Sequence, residues 1–390
     1  MGTVPSGFRV RPFGGSGATQ RRPGPDQANR GGRAMSGLPL APKVVVPVPR
    51  RGTRAMAALA LSAFAFVVTV VVGTAVGPAS PGLGEVVAVL LDHLGVREAG
   101  LPALTDRIVW EIRLPRVLLA GVVGATLAYS GAAYQGVFRN PLADPYLLGA
   151  ASGAGLAASL VFVAPVPVLV GPVSLVTLAA FGGAVAAVLA AYLLASVGGT
   201  TPRTTLILAG VAVSSLAVSA TSYLMLMSRE NTMSILAWLL GSFNASGWHK
   251  MWFILPYAAP AAIIVALHGR ILNVLQLDEE QAAQLGVNVE LTRAVVILAA
   301  SLATAAAVAV AGIIGFVGLV VPHAVRLVLG PDYRLLVPVS ALVGGSFLIL
   351  CDLGARTLIS PGEVPIGVIT SFLGAPFFLY LLKRQRTVFM

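Results

Sequence analysis

Apolar residues along this chain fall in long unbroken runs rather than in the alternating or helical stripes of a water-facing domain. Runs long enough to cross a bilayer lie at roughly 55–77, 115–137, 147–165, 172–197, 203–227, 251–268, 292–314, 316–329, 334–358 and 365–384. The eighth run is short and stops at the turn Gly330-Pro331-Asp332, so it reads as the second half of an interrupted pair with the seventh. Between the fifth and sixth runs, Asn231 to Ser246 is too polar to span. Its apolar residues recur at helical spacing, and they predict a short helix at the membrane surface. The pattern predicts an all-α polytopic membrane protein of about ten spans.

Composition agrees with the pattern. Apolar residues make up 57% of the 390-residue chain and charged residues 11%; mean hydropathy is +0.88. A soluble domain carries about 25% charged residues, so this chain lacks the charge to coat a water-facing surface. Glycine is abundant, at 43 residues, as expected where helices pack closely in lipid. Gly121, Gly124, Ala128 and Ala132 fall near one face of the second span, and Gly149 and Gly153 form a GxxxG pair opening the third.

Net charge is +11, but ten of the 26 Lys/Arg residues precede residue 55 in a Gly-, Pro- and Arg-rich segment. That segment, 1–54, reads as a disordered, cytoplasmic, membrane-proximal tail, leaving 55–386 as the membrane domain. No interleaved aromatic residues or folded motif suggest nucleic acid as a partner. Arg50, Arg51 and Arg54 before the first span, and Lys383, Arg384 and Arg386 after the last, place both termini in the cytoplasm. Several arginines remain on the opposite side, Arg113, Arg116 and Arg356 among them, and need a reason beyond topology.

Catalytic chemistry is not visible. The chain has no GxxxxGK[ST] loop for ATP phosphates, no HExxH and no GxSxG. Its four histidines are scattered, and its single cysteine, Cys351, sits in an apolar run and forms no metal cluster or internal disulfide. No resident cofactor or metal is expected. The middles of the spans also lack the carboxylates and histidines that ion-coupled carriers place there, which points to an energy source outside the chain. Asp352 lies four residues before Arg356, on one helix face, where the two can pair. Between the sixth and seventh spans, Asp278 to Glu280 favours a helix start and Gly286 a helix end. That segment, about 274–290, is either an ordinary solvated loop or a rigid cytoplasmic protrusion.

Several ordered segments together resemble the permease subunits of type II ABC importers for iron–siderophore complexes, haem and cobalamin, the FecCD-type permeases. They are Ile112-Arg113-Leu114-Pro115-Arg116, Gln135-Gly136-Val137-Phe138-Arg139-Asn140-Pro141-Leu142-Ala143-Asp144-Pro145, Leu148-Gly149-Ala150-Ala151-Ser152-Gly153-Ala154-Gly155, Leu208-Ala209-Gly210-Val211-Ala212, Trp238-Leu239-Leu240-Gly241-Ser242-Phe243, Ala283-Gln284-Leu285-Gly286, Gly315-Phe316-Val317-Gly318-Leu319-Val320-Val321-Pro322-His323 and Glu363-Val364-Pro365-Ile366-Gly367-Val368. The resemblance implies ten helices per subunit and two permease subunits, identical or not, around one pathway. It implies two copies of an ABC ATPase below, and a periplasmic or lipoprotein substrate-binding protein above. The setting would be a bacterial inner membrane and the cargo an iron chelate, most simply a ferric siderophore. Haem or cobalamin is the alternative within the family, and an ion-coupled carrier the alternative outside it. The resemblance further implies docking of the binding protein on Arg113, Arg116 and Arg356. It implies coupling to the ATPase through Leu277, Glu280, Gln281, Ala283, Gln284, Leu285 and Gly286, and a pathway lined by Ser214, Ser215, Ser219, Thr370 and Ser371. For the arginines, headgroup snorkelling and the Asp352 pair compete with docking; for the hydroxyls, ordinary helix–helix hydrogen bonding competes with lining.

Overall fold

The computed structural model describes residues 51–386 apart from 78–81, 97–99, 167–168, 171–172, 197–200, 245, 278 and 360–361. The tail expected over 1–54 lies outside the described residues as far as residue 50. In chain order the helices are α1 (Arg51–Ala75), α2 (Leu83–His93), α3 (Ala103–Arg107), α4 (Leu114–Phe138), α5 (Ala150–Val163), α6 (Leu175–Ala195), α7 (Arg203–Met227), α8 (Thr232–Leu239), α9 (Trp248–Leu267), α10 (Gly269–Val274), α11 (Glu279–Gln284), α12 (Val289–Ala311), α13 (Val317–Leu329), α14 (Tyr333–Thr357) and α15 (Ile366–Arg386). A π-helical stretch, Ile108–Arg113, joins α3 to α4. Among the described residues the extended structure is one two-residue antiparallel pair, Leu169–Val170 with Val173–Ser174.

Among the described residues, seven helices are long and apolar enough to cross a membrane, and Ala150–Val163, Val317–Leu329 and Ile366–Tyr380 are shorter apolar helices. Together they occupy the ten expected positions, and the protein is a multi-pass membrane protein. The short helix expected between the fifth and sixth spans is α8. Hydropathy gave no sign of α2 or α3. Helix α2 is amphipathic rather than spanning. It buries Val86 and Val89 against Ala75 and Val109, and Glu85 reaches back to accept from the Gly82 N–H at 3.0 Å, satisfying an orphan donor at its start.

The spans divide into a core and a shell. The apolar window of the Ala103–Val137 helix is 83% buried and that of α12 is 78%, whereas that of α1 is 0% and that of α7 is 22%. Small side chains make the core possible, since a helix axis can approach another closely only where both lack bulk. On α4, Gly121, Gly124 and Ala128 face Gly344 and Gly345 of α14; a Cβ at Gly124 would overlap the Gly344 carbonyl. Helix α12 buries an almost continuous alanine surface from Ala299 to Ala311. Helix α7 packs on α5, α6 and α8 and leaves the rest of its circumference open.

Candidate functional site

Three regions of polar or irregular backbone interrupt this apolar bundle. One lies where α4 begins and α14 ends, one at the opposite end around α10 to α12, and one at the broken helix ends between them.

At the first end, the guanidinium of Arg116 is gripped from two sides. Its Nε and Nη2 donate to Asp352 Oδ1 at 3.1 and 2.9 Å, and its Nη1 and Nη2 donate to Glu363 Oε1 and Oε2 at 2.9 and 2.8 Å. Asp352, 1% exposed, also pairs with Arg356, whose Nε lies 3.1 Å from Oδ2. The expected Asp352–Arg356 pair is therefore present, and Arg116 joins it. The other guanidinium nitrogens of Arg356 donate to Gly73 O at 2.9 Å and Val76 O at 3.5 Å. Arg113 donates to Thr74 O and Ala75 O at 3.0 and 2.9 Å. These are the last carbonyls of α1, which have no partner within their own helix. Two buried cations thus cap the negative end of the α1 dipole. Arg113 and Arg356, expected on a docking face, are 6% and 5% exposed and turn inward to that helix end. Arg116 keeps an outward edge, its side chain 14% exposed, toward Glu363, which is 33% exposed. Arg116, Asp352 and Glu363 line a cavity of ≈ 180 Å³ with Gly241, Ser242, Phe243 and Ile366.

The middle region is built from helix ends that satisfy one another. The Ile366 and Gly367 N–H groups, which open α15, donate to Gly241 O and Leu240 O at the close of α8, at 3.2 and 3.0 Å. Ser242 N donates to Ala311 O, the last carbonyl of α12, at 2.9 Å. Tyr146 Oη donates to Ile314 O at 3.0 Å in the gap between α12 and α13. In lipid such irregular backbone is tolerated only where protein or a cavity surrounds it. Gly241 and Gly312 hold positive φ (70° and 74°), and a Cβ on Gly312 would overlap the Trp238 carbonyl. Phe316 also sits at positive φ, 68°, a strained conformation for an aromatic residue; Gly374 of α15 leaves room for its ring.

At the second end, α11 stands where a helix was expected, with Gly286 at φ 79° closing it. Ala282 is buried and anchors the helix, while Glu280, Gln281, Ala283, Gln284 and Gly286 are exposed. Leu277 and Leu285, which flank the helix, are 43% and 63% exposed. Behind α11 the chain is firmly tied. Gln276 donates to Gly136 O at 3.0 Å, Arg139 bonds the Leu275 carbonyl, and Asn273 donates to Asp332 Oδ1 at 2.8 Å. The fork of Arg334, with the Asn273 amide, holds the Asp332 carboxyl well below the usual carboxylate range. Beyond α11, the first turn of α12 forms a ring with Thr201, two residues before α7. Arg293 donates to Thr201 O at 2.9 Å and to Glu290 Oε1 at 3.1 Å, and the Thr201 hydroxyl donates to Glu290 Oε2 at 3.1 Å. Sequence reading missed this ring, because its members lie 89 and 92 residues apart.

Of the expected lining residues, Ser215 and Ser219 lie on the open side of α7, while Ser214 and Ser371 are half-buried. Thr370 is 0% exposed and donates to Gly367 O of its own helix, so it faces the interior of the bundle. Among the described residues no group of three or more His, Cys, Asp or Glu side chains is placed to hold a metal ion.

Comparison with known proteins gives this geometry a context. The model of the FecCD transport family matches residues 63–384. The chain is 44% identical over 333 residues to the cobalamin import system permease BtuC of Halobacterium salinarum, covering 85% of this chain and 89% of that one. It is 41% identical over 310 residues to the hemin transport permease HmuU of Yersinia pestis (75% and 92%), and 37% identical over 285 residues to the Fe(3+) dicitrate permease FecC of Escherichia coli (73% and 85%). Among solved structures, a metal-chelate type ABC transporter in an inward-facing conformation superposes with a TM-score of 0.71 at 31% identity, covering 84% of this chain and 98% of that one. With the family model spanning most of its length and relatives of this identity, the chain belongs to the FecCD transport family of ABC importer permeases.

Proposed function

We propose that this permease carries an organic metal chelate through a pathway on the open face of α7, α8 and α15, shared with a second permease subunit. Two ABC ATPase subunits engage α11 and supply the energy. A substrate-binding protein delivers cargo at the Arg116 end. Both chain termini are cytoplasmic.

The observation that carries this reading is α11. A six-residue helix with one buried anchor, an exposed glycine turn and two exposed leucines is poorly explained as a solvated loop. It is well explained as a knob that another protein receives. The chain itself carries no phosphate-binding loop, so ATP chemistry belongs to that other protein. The pathway assignment rests on the mixed surface of α7, where Ser215 and Ser219 alternate with exposed Leu216 and Val218. Small hydroxyls among aliphatic groups offer a wall that binds no bulky ligand tightly.

The cargo is narrower. Cobalamin, hemin and ferric dicitrate, which name the relatives, are all metal ions wrapped in an organic chelator. The sequence motifs are common to siderophore, haem and cobalamin permeases, and a ferric siderophore is the first reading. The extent of the match to the cobalamin permease, 44% over 333 residues, favours a corrinoid as the second reading. Uptake of radiolabelled ferric siderophore, haem and cobalamin by cells expressing the whole transporter separates them. Accumulation of the siderophore label alone is expected. Accumulation of the cobalamin label alone would transfer the assignment to the second reading.

A further inference from the structure

We propose that Glu363 is a built-in stand-in for a partner's carboxylate, occupying the outward fork of Arg116 until an acidic residue of the docking protein displaces it. The proposal rests on the docking reading above and adds the group that must leave.

The geometry separates the two carboxylates on Arg116 by role. Asp352 is buried and pairs with two arginines, so removing it would strand charge in an apolar bundle. Glu363 is the more exposed member, sits on the turn between α14 and α15, and, among the described residues, its ion pair is with Arg116, through two parallel bonds of 2.9 and 2.8 Å. A carboxylate fork on a guanidinium is the geometry an incoming Asp or Glu would reproduce. Exchange therefore leaves the charge count on Arg116 unchanged, and it needs no exposure of Arg113 or Arg356, which are committed to the end of α1.

Displacing Glu363 also reaches the middle of the molecule. Three residues further on, Ile366 donates to Gly241, and Gly367 to Leu240, at the close of α8. Val364 N donates to Ala355 O of α14 at 3.1 Å. The Arg116–Glu363 fork and these three backbone bonds hold the same turn. Losing the fork loosens the turn that fixes α15 to α8, and Glu363, Val364 and Pro365 of that turn line the ≈ 180 Å³ cavity together with Arg116, Asp352 and Gly241. Docking at Arg116 would thereby be felt at the proposed pathway.

The test titrates the full transporter, permease with its ATPase in lipid nanodiscs, with its binding protein. Glu363→Gln keeps the size of the side chain and weakens its hold on Arg116. Its expected effect is an affinity about two- to fivefold tighter than wild type, the range of one surface ion pair, with Glu363→Asp near wild type. A purely structural Glu363 gives the opposite sign, since a disordered turn docks no better; equal or weaker binding by Glu363→Gln overturns the proposal. Arg116→Gln and Arg116→Lys distinguish the failures. If both leave affinity unchanged, docking itself is elsewhere. If they weaken it while Glu363→Gln does not tighten it, docking stands and the exchange is wrong. Amide exchange at Val364 and Ile366 is the second readout: it rises on docking if Glu363 is released, and a fall on docking contradicts the release.

Discussion

Asp352 shows how one side chain can organise a membrane protein end. A carboxylate at 1% exposure is tolerable only because Arg116 and Arg356 both reach it. Those arginines are in turn neutralised by Glu363 and by the last carbonyls of α1. Breaking a buried pair from one side leaves an uncompensated charge, at a cost of about 3–5 kcal/mol. Asp352→Ala should therefore lower the thermal unfolding temperature of the purified permease markedly. The exposed Arg107–Glu111 pair, by contrast, should tolerate Arg107→Ala with little shift. A thermal scan in which the two variants behave alike would mean that the Asp352 network is not structural. The Asp352–Arg356 half of the network was legible in the sequence, because four residues on a helix return to one face. The Arg116 half was not, because 236 residues separate it from Asp352 and no local period connects them. The same gap explains why Arg113 and Arg356 read as outward-facing: their arginine motif is visible in the sequence, but the α1 carbonyls that claim them are not.

At the scale of elements, hydropathy located the ten apolar helices well because lipid imposes the same long runs on each. It missed α2, whose 11 residues pack one face only, and it could not show which helices are central. That depends on glycines meeting glycines between α4 and α14, a pairing invisible along the chain. The segment proposed to meet the ATPase was legible in its parts, since the acidic start read from the sequence and Gly286 bracket α11. What it connects to was not. The Thr201–Glu290–Arg293 ring joins the first turn of α12, directly after α11, to the start of α7. Helix α7 otherwise packs mainly on α5, α6 and α8, so the ring ties the start of α12, which follows the knob, to the residues that lead into the proposed pathway helix. Thr201→Val removes the hydroxyl bond to Glu290 while keeping the backbone carbonyl that Arg293 holds. The expected outcome is transport per ATP hydrolysed falling about two- to tenfold, the range of one net hydrogen bond, with ATPase assembly unaffected. Wild-type stoichiometry in that variant would remove the ring from the coupling route.

The whole molecule is organised as two polar ends joined by an apolar bundle. One end holds cations around α1, α4 and α14, the other presents α11, and helix ends that hydrogen-bond to one another lie between. Among the described residues, the ion pairs of Arg116, Asp352, Arg356 and Glu363 gather at one end, and that of Arg293 with Glu290 lies at the other. In the proposed function, transport is driven from outside the chain by an ATPase bound at α11. The most direct measurement is uptake of the labelled chelate into proteoliposomes containing permease and ATPase, with binding protein supplied at the Arg116 end and ATP at the α11 end. Uptake that requires hydrolysable ATP and is indifferent to proton or sodium gradients is expected. Uptake that proceeds without ATP when an ion gradient is imposed would contradict an external ATPase as the driving force.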